Sequence, residues 1–202
     1  MKRLAGLLVL LLAGCAAPQP RAPDLTTPDA AYRERAALLG SLSDWSFTGR
    51  LGLRQGDEGG SGRLDWVQRS AASDLRFRGA LGAGAWRLQV KSDAARLVLA
   101  DGTERVSHDV VSLVQESTGW RLPVDALGWW VRGLAAPEEM PVQALELSED
   151  GLPQSFQQAG WQLSYERYSD DQPAPLPTRL LARRDDVTVR LAISRWQISE
   201  ER

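Results

Sequence analysis

From Trp45 onward the large apolar residues recur at every second position, and that period decides most of what this chain can become. Phe47, Leu51 and Leu53 alternate with Thr48, Arg50 and Arg54, and Leu64 and Trp66 alternate with Arg63 and Asp65. Leu75 and Phe77 alternate with Arg76 and Arg78, and Trp86, Leu88 and Val90 alternate with Arg87, Gln89 and Lys91. Side chains of a strand point to opposite faces in turn, so these segments predict half-buried antiparallel strands with a greasy face and an Arg-, Gln- and Asp-rich one. Glycine-rich or Asp-Gly stretches punctuate them: Gly56 to Gly60, Gly79 to Gly84, and Asp101-Gly102, the last placed as a hairpin turn between Leu97-Val98-Leu99 and Thr103 to Val106. The alternation resumes beyond Val142, in residues 144–147, 155–158, 161–168, 179–183 and 187–198, with Asp185-Asp186 at the last tight turn.

Helical spacing appears in three places. Pro28 to Leu42 reads as a short amphipathic helix with Tyr32, Ala36 and Leu39 on one side and Arg33, Glu34 and Arg35 on the other. Ser107 is placed to cap a helix over residues 109–117 that stops at Gly119. A second short helix should follow Pro123, carry Leu127, Trp130 and Val131, and end at Gly133. The expected fold is mainly β: about ten or eleven short antiparallel strands curled around a space, covered on one side by two or three helices, in a single domain over residues 29–202. With 43% hydrophobic residues in 202, one core is affordable for one domain.

The first residues address the chain. Met1-Lys2-Arg3 is a positive start, Leu4 to Leu12 is an apolar run, and Ala13-Gly14 are small, which together read as a secretory signal peptide over residues 1–14. The run is about half of the roughly 20 residues that span a bilayer. Leu12-Ala13-Gly14-Cys15 resembles the lipobox of bacterial lipoproteins. The resemblance implies an S-diacylglyceryl group on Cys15, cleavage before it, and acylation of the new amino terminus. Several acyl chains on one residue exceed what stable anchoring requires. Ala16 at the next position, where this class reads Asp as a retention signal, implies the outer membrane. Four prolines between Ala16 and Pro28 make residues 15–28 an extended tether.

Most chemistries find no residues to carry them. A formal charge of -2, from 24 basic and 26 acidic residues, argues against a nucleic-acid binder. A single Cys removes disulfide scaffolds and multi-thiolate metal sites. There is no phosphate loop, and Gly79, Gly82 and Gly84 lie between strands, where a dinucleotide fingerprint cannot work. Asp170-Asp171 and Asp185-Asp186 fall at turns, Ser112 and Ser155 lack a nucleophile-elbow setting, and His108 reads as a surface or capping residue. Trp66, Trp86, Trp161 and Trp196 share the phase of their apolar neighbours, which fits core filling and a lined ligand cavity equally well.

One stretch ties these features together. Gly119-Trp120-Arg121-Leu122-Pro123-Val124, then Leu127, Trp130 and Gly133-Leu134, is similar to the G-x-x-[LI]-P-[VI]-x-x-L-x-x-W-[IV]-x-G-L segment of the LolB family of outer-membrane lipoproteins. Leu75 to Leu88, with Gly79-Ala80-Leu81-Gly82 at its tip, resembles that family's protruding loop; the family's G-L-P is here Gly133-Leu134-Ala135. The resemblance implies an incomplete, unclosed barrel with a helical lid over an apolar cavity. It implies a non-enzymatic, periplasm-facing monomer without a cofactor, which accepts lipoproteins from a LolA-like periplasmic carrier by their acyl chains and inserts them into the outer membrane. Leu81 would be the protruding residue. Inward phase nominates Phe47, Leu51, Leu64, Trp66, Leu75, Phe77, Trp86, Leu88, Leu99, Trp130, Trp161 and Ile193 for the cavity. The competing expectation is a structural lipoprotein of an envelope assembly with a dry core.

Overall fold

Strand follows strand along the chain, each turning back beside its predecessor. The computed structural model describes residues 28–80, 84–120, 122–137, 141–170 and 173–199; the signal peptide, Cys15, the tether, Leu81 and Gly82 lie outside them. After α1 (Pro28–Gly40) come β1 (Asp44–Gln55), β2 (Glu58–Arg69), β3 (Ala72–Gly79), β4 (Trp86–Val90), β5 (Ala95–Leu99) and β6 (Glu104–Ser107). Two helices interrupt, α2 (Val110–Thr118) and α3 (Val124–Trp130). The rest is β7 (Gln143–Leu147), β8 (Pro153–Gln158), β9 (Trp161–Tyr168), β10 (Pro177–Arg184) and β11 (Val187–Ile198). Among the described residues no helix is long and apolar enough to cross a membrane.

All eleven strands form one sheet in the order β6-β5-β4-β3-β2-β1-β11-β10-β9-β8-β7. Every neighbouring pair is antiparallel. The first and last strands meet at the centre, so β6 and β7 are left as edges and the barrel stays open. The segment that leaves edge β6 and returns as edge β7 is the one holding α2 and α3. Chain connectivity alone therefore carries these helices from one rim of the open sheet to the other, as a lid.

The period of two is borne out strand by strand. Phe47, Leu51, Leu64, Trp66, Leu75, Phe77, Leu88, Trp161 and Ile193 are buried on the lid side, while Arg50, Arg63, Arg76 and Arg78 face water. At the β1–β11 junction the register slips between Thr48 and Gly49, leaving Phe47 opposite Trp196 and Gly49 opposite Ile193. This bulge keeps Trp196 on the inner face although it is three residues, not two or four, past Ile193.

Three expectations need correction. Gly56 to Gly60 was expected as a break, yet only Gly56-Asp57 turns and Gly59 and Gly60 lie inside β2. The reason is crowding: a Cβ on Gly59 would sit 2.5 Å from the Leu53 carbonyl oxygen, and one on Gly62 would sit 2.2 Å from that of Arg78. Only glycine lets β2 press between β1 and β3 there. The cap of α2 is Asp109, whose carboxylate accepts from the Ser112 N–H at 3.0 Å, while Ser107 accepts from the Asp109 N–H instead. Gly119 ends α2 as expected, in the left-handed conformation at φ 77°. Arg35 sits on the buried side of α1, not with Arg33 and Glu34. Leu99 is not among these: it is half-buried, opposite inward Trp86, and packs against the core at the end of β5.

Candidate functional site

The inner face carries three groups of rings. Near the chain termini of the sheet, Trp45, Phe47, Trp66 and Trp196 meet with centroids 5.1 to 6.3 Å apart. At the other end of β3 and β4, Phe77 stacks on Trp86 at 5.5 Å, and Trp120 of the lid stands edge-on to both at 5.5 and 6.4 Å. Between the rims, Trp130 of α3 lies 6.0 Å from Trp161 of β9. Leu51, Leu64, Leu75, Leu88 and Ile193 join them in one continuous core. With the lid seated, the described side chains pack most of the inner face, and a hollow of about 340 Å³ beside α3 is lined in part by Trp45, Trp66 and Trp129. The tryptophans are thus core residues in this arrangement.

The indole nitrogens set this core apart. Trp130 donates to Gln158 Oε1 at 2.8 Å and Trp196 to the Pro177 carbonyl at 2.9 Å. Trp66, Trp86 and Trp161 are buried with no acceptor for their N–H groups among the described residues. A buried donor left unpaired costs on the order of 1–3 kcal/mol, which ordinary cores avoid.

The lid motif is explained by what it touches. Gly119 turns the chain, Trp120 reaches Phe77 and Trp86, Leu122 and Val124 are buried around the Pro123 entry, and Trp130 is fully buried. The Trp130 carbonyl accepts from the Tyr165 hydroxyl at 2.9 Å. Gln158 also receives the Ala136 N–H at 2.9 Å and donates to the Ala136 carbonyl at 2.8 Å, which secures the connection after Gly133-Leu134-Ala135.

Sequence reasoning missed the two arginines beneath this end of the lid. Arg132 donates to the Leu39 carbonyl at 2.6 Å and the Gly128 carbonyl at 3.0 Å, with Trp129 at 4.8 Å and Trp45 at 5.5 Å from its guanidinium. Arg35 donates to the carbonyls of Gly133, Arg132 and Pro175 at 2.8 to 3.2 Å. Burial lowers both guanidinium pKa values, that of Arg132 to about 10. The available signal was spacing: Arg35 is four residues before buried Leu39, on the same helix face. Burial likewise holds the Tyr165 hydroxyl well above its ordinary range.

The outer face is the ordinary counterpart. Asp65 takes Arg63 at 2.9 Å and Arg78 at 3.3 Å, and Asp74 takes Arg87 and Arg76. Hydrogen bonds from these arginines hold both carboxyls below the usual range. His108 is exposed, its ring nitrogen against the Asp93 carbonyl. Among the described residues no group of three His, Cys, Asp or Glu could hold a metal ion. Gly79 closes β3 opposite Gly62 and exposed Ala80 follows it, while Leu81 and Gly82 lie outside the described residues.

An open antiparallel sheet with a helical lid across its rims defines the class of fold. The crystal structure of a LolA superfamily protein from Nitrosomonas europaea shares it, with a TM-score of 0.53 at 11% identity over 87% of this chain and 95% of that one. Sequence resolves the relationship further. The family model described as outer membrane lipoprotein LolB matches residues 43–196. The outer-membrane lipoprotein LolB of Stutzerimonas stutzeri is 37% identical over 198 residues, covering 96% of this chain and 94% of its own. That of Alkalilimnicola ehrlichii is 36% identical over 197 residues, covering 97% and 96%. The chain belongs to the LolB family. It is a lipid-anchored outer-membrane lipoprotein and a lipoprotein localization factor, not an enzyme.

Proposed function

We propose that the protein accepts lipoproteins from a LolA-like periplasmic carrier, holds their acyl chains against the inner face of its sheet, and releases them into the outer membrane. One observation carries this reading. A continuous apolar face, rich in rings and lined by three unpartnered indole donors, is covered by a short lid and not by a second sheet. Three acyl chains at about 0.8 kcal/mol per methylene cannot cross water unaided. A receptor without an energy source transfers them only downhill, so its inner face must bind them better than the donor does and less well than a bilayer.

In this reading residues 1–14 are removed as a signal peptide, and Cys15 bears the S-diacylglyceryl and N-acyl groups that anchor the protein as a periplasm-facing monomer. Residues 15–28 tether the single domain. Leu81, flanked in sequence by Gly79, Ala80 and Gly82, is the residue that touches the membrane. The assay is transfer of a labelled lipoprotein from a soluble carrier to this protein and on to liposomes. Leu81→Glu should leave thermal unfolding and acceptance unchanged while slowing delivery severalfold, since a carboxylate replaces an apolar side chain that would enter the apolar part of the bilayer. Unimpaired delivery would remove Leu81 from the mechanism, and failure of the native protein to take up cargo would remove the mechanism itself.

A further inference from the structure

The ion pairs of the outer face gather on one side of the sheet. Asp65 and Asp74 neutralise arginines of β2, β3 and β4, whereas Arg50, Arg167, Arg179 and Arg190 form no ion pair among the described residues. Arg50 reaches only the Ser61 hydroxyl, at 3.3 Å. Glu166, next to Arg167 in the chain, pairs with none of them.

Strand register lines these cations up. Arg78 of β3 is opposite Arg63 of β2, and Arg63 is opposite Arg50 of β1. Arg50 is opposite Ala192 of β11, Ala192 is opposite Arg179 of β10, and Arg179 is opposite Arg167 of β9. All of these side chains are exposed. A single cross-strand row over six neighbouring strands thus holds five arginines and one alanine. At about 4.8 Å per strand the row runs for roughly 24 Å. Like charges directly opposite each other repel, so the row is a cost to the sheet on its own. Asp65 relieves the Arg63–Arg78 end, and no carboxylate among the described residues bridges Arg167 and Arg179. Ala192 leaves the middle low. A trough of about 670 Å³ opens there, with Arg50 and Arg63 on one wall and Arg167 and Arg179 on the other.

Arginine forks placed around a trough suit phosphate, because the planar guanidinium meets two phosphate oxygens at once. Two observations choose the source of that phosphate. An anchor at Cys15, 13 residues before Pro28, keeps the start of the domain within about 45 Å of a bilayer. A protein partner, by contrast, needs large apolar anchors at the centre of its contact. None of the exposed large apolar residues Leu38, Val67 and Val106 stands in the row or lines the trough.

We infer that the arginine row is a docking strip for the phosphate headgroups of an anionic bilayer, with phosphate held in the trough between Arg50 and Arg179. The sheet then lies outer face down, and the lid points away from the membrane, toward an arriving carrier. Arg78, three residues before Leu81, puts one end of the strip at the foot of the loop proposed to enter the bilayer. The inference needs the lipid anchor and not the acyl-binding reading, so either can fail alone.

The test sediments vesicles with the mature chain carrying Cys15→Ala, so that no lipid of its own inserts. One set of vesicles is two parts phosphatidylcholine to one part phosphatidylglycerol, and the other is phosphatidylcholine alone. Binding to the anionic set should be at least about tenfold tighter. It should weaken steeply as salt rises from about 0.1 to about 0.5 M. The triple variant Arg50→Gln, Arg167→Gln, Arg179→Gln should keep less than about threefold preference. Its unfolding temperature should be no lower than that of the native chain, because repulsion within the row is relieved. A second triple variant, Arg76→Gln, Arg87→Gln, Arg96→Gln, removes the same charge from ion-paired positions and should retain most of the preference. Leu81→Glu should retain it too, which separates headgroup docking from insertion of the loop. No preference for anionic vesicles in the native chain would overturn the inference. Equal losses in the two triple variants would also overturn it, since net charge alone would then account for binding. Release by inorganic phosphate, beyond that caused by sodium chloride of the same ionic strength, would overturn it in favour of a site for a free anion.

Discussion

The two halves of the lid are fastened in different currencies of interaction. The α3 half is bonded: Trp130 to Gln158, Tyr165 to the Trp130 carbonyl, Arg132 to Leu39 and Gly128, and Arg35 to Gly133. The α2 half buries Val110, Leu113 and Val114 and brings Trp120 edge-on to Phe77 and Trp86, with an exposed Arg105–Glu116 contact at 3.3 Å beside it. Apolar contact has no required direction, so methylenes of a guest replace it with little loss. Buried hydrogen bonds are not replaceable in that way, because each group left behind is unsatisfied. A guest is therefore expected to lift the α2 half and leave the α3 half seated as a hinge.

The strongest way to break this contrast is Trp130→Ala. It removes a fully buried ring and one of the hydrogen bonds to Gln158 Oε1, and should cost about 3–5 kcal/mol in urea unfolding. A loss near 1 kcal/mol would mean that the α3 half is no better fixed than the other. Next comes alkaline pH. The Tyr165 hydroxyl titrates higher folded than unfolded, so its contribution is whole below about pH 10 and declines as pH rises past the ordinary tyrosine range. Arg132, pushed down to about 10, acts in the opposite sense there, because the folded state releases that proton first. The tyrosine part is therefore read as a difference: Tyr165→Phe should be less stable than the native chain at neutral pH by about 1 kcal/mol, and the gap should close toward pH 12. A gap that stays constant with pH would contradict the bonded picture. The smallest effect belongs to Trp120→Ala, which should cost about 1 kcal/mol in stability while quickening uptake of a fluorescent fatty acid by roughly fivefold. Slower uptake would place the opening elsewhere.

How far the sequence could be read follows from which forces act locally. β4, β9 and β11 appear with the bounds that their alternation predicts, because the period of two fixes both phase and length. Pro123, Gly119 and Gly133 mark the lid because backbone geometry at those residues is dictated locally. Gly59 misled, since its presence in β2 answers to the closeness of β1, a neighbour that no local window contains. Arg35 misled for a similar reason, and Arg132 drew no notice. A charge reads as surface unless the carbonyls that receive it are known, and Arg35 takes its carbonyls from residues about a hundred or more positions away. The inward residues of the inner face could be named from phase; whether they enclose a guest depends on lid position, which phase does not encode.

The central claim is that fatty chains lie on the lid side of the sheet. It is tested most directly with a lipopeptide bearing a photoreactive diazirine midway along one acyl chain, cross-linked to the protein and mapped to single residues. Strand alternation supplies an internal control, since Leu75, Phe77, Trp86 and Leu88 face inward while Arg76 and Arg87 between them face out. The expected result is label on the inward residues and none on the two arginines. Label on Arg76 and Arg87, or spread evenly over both faces, would contradict it.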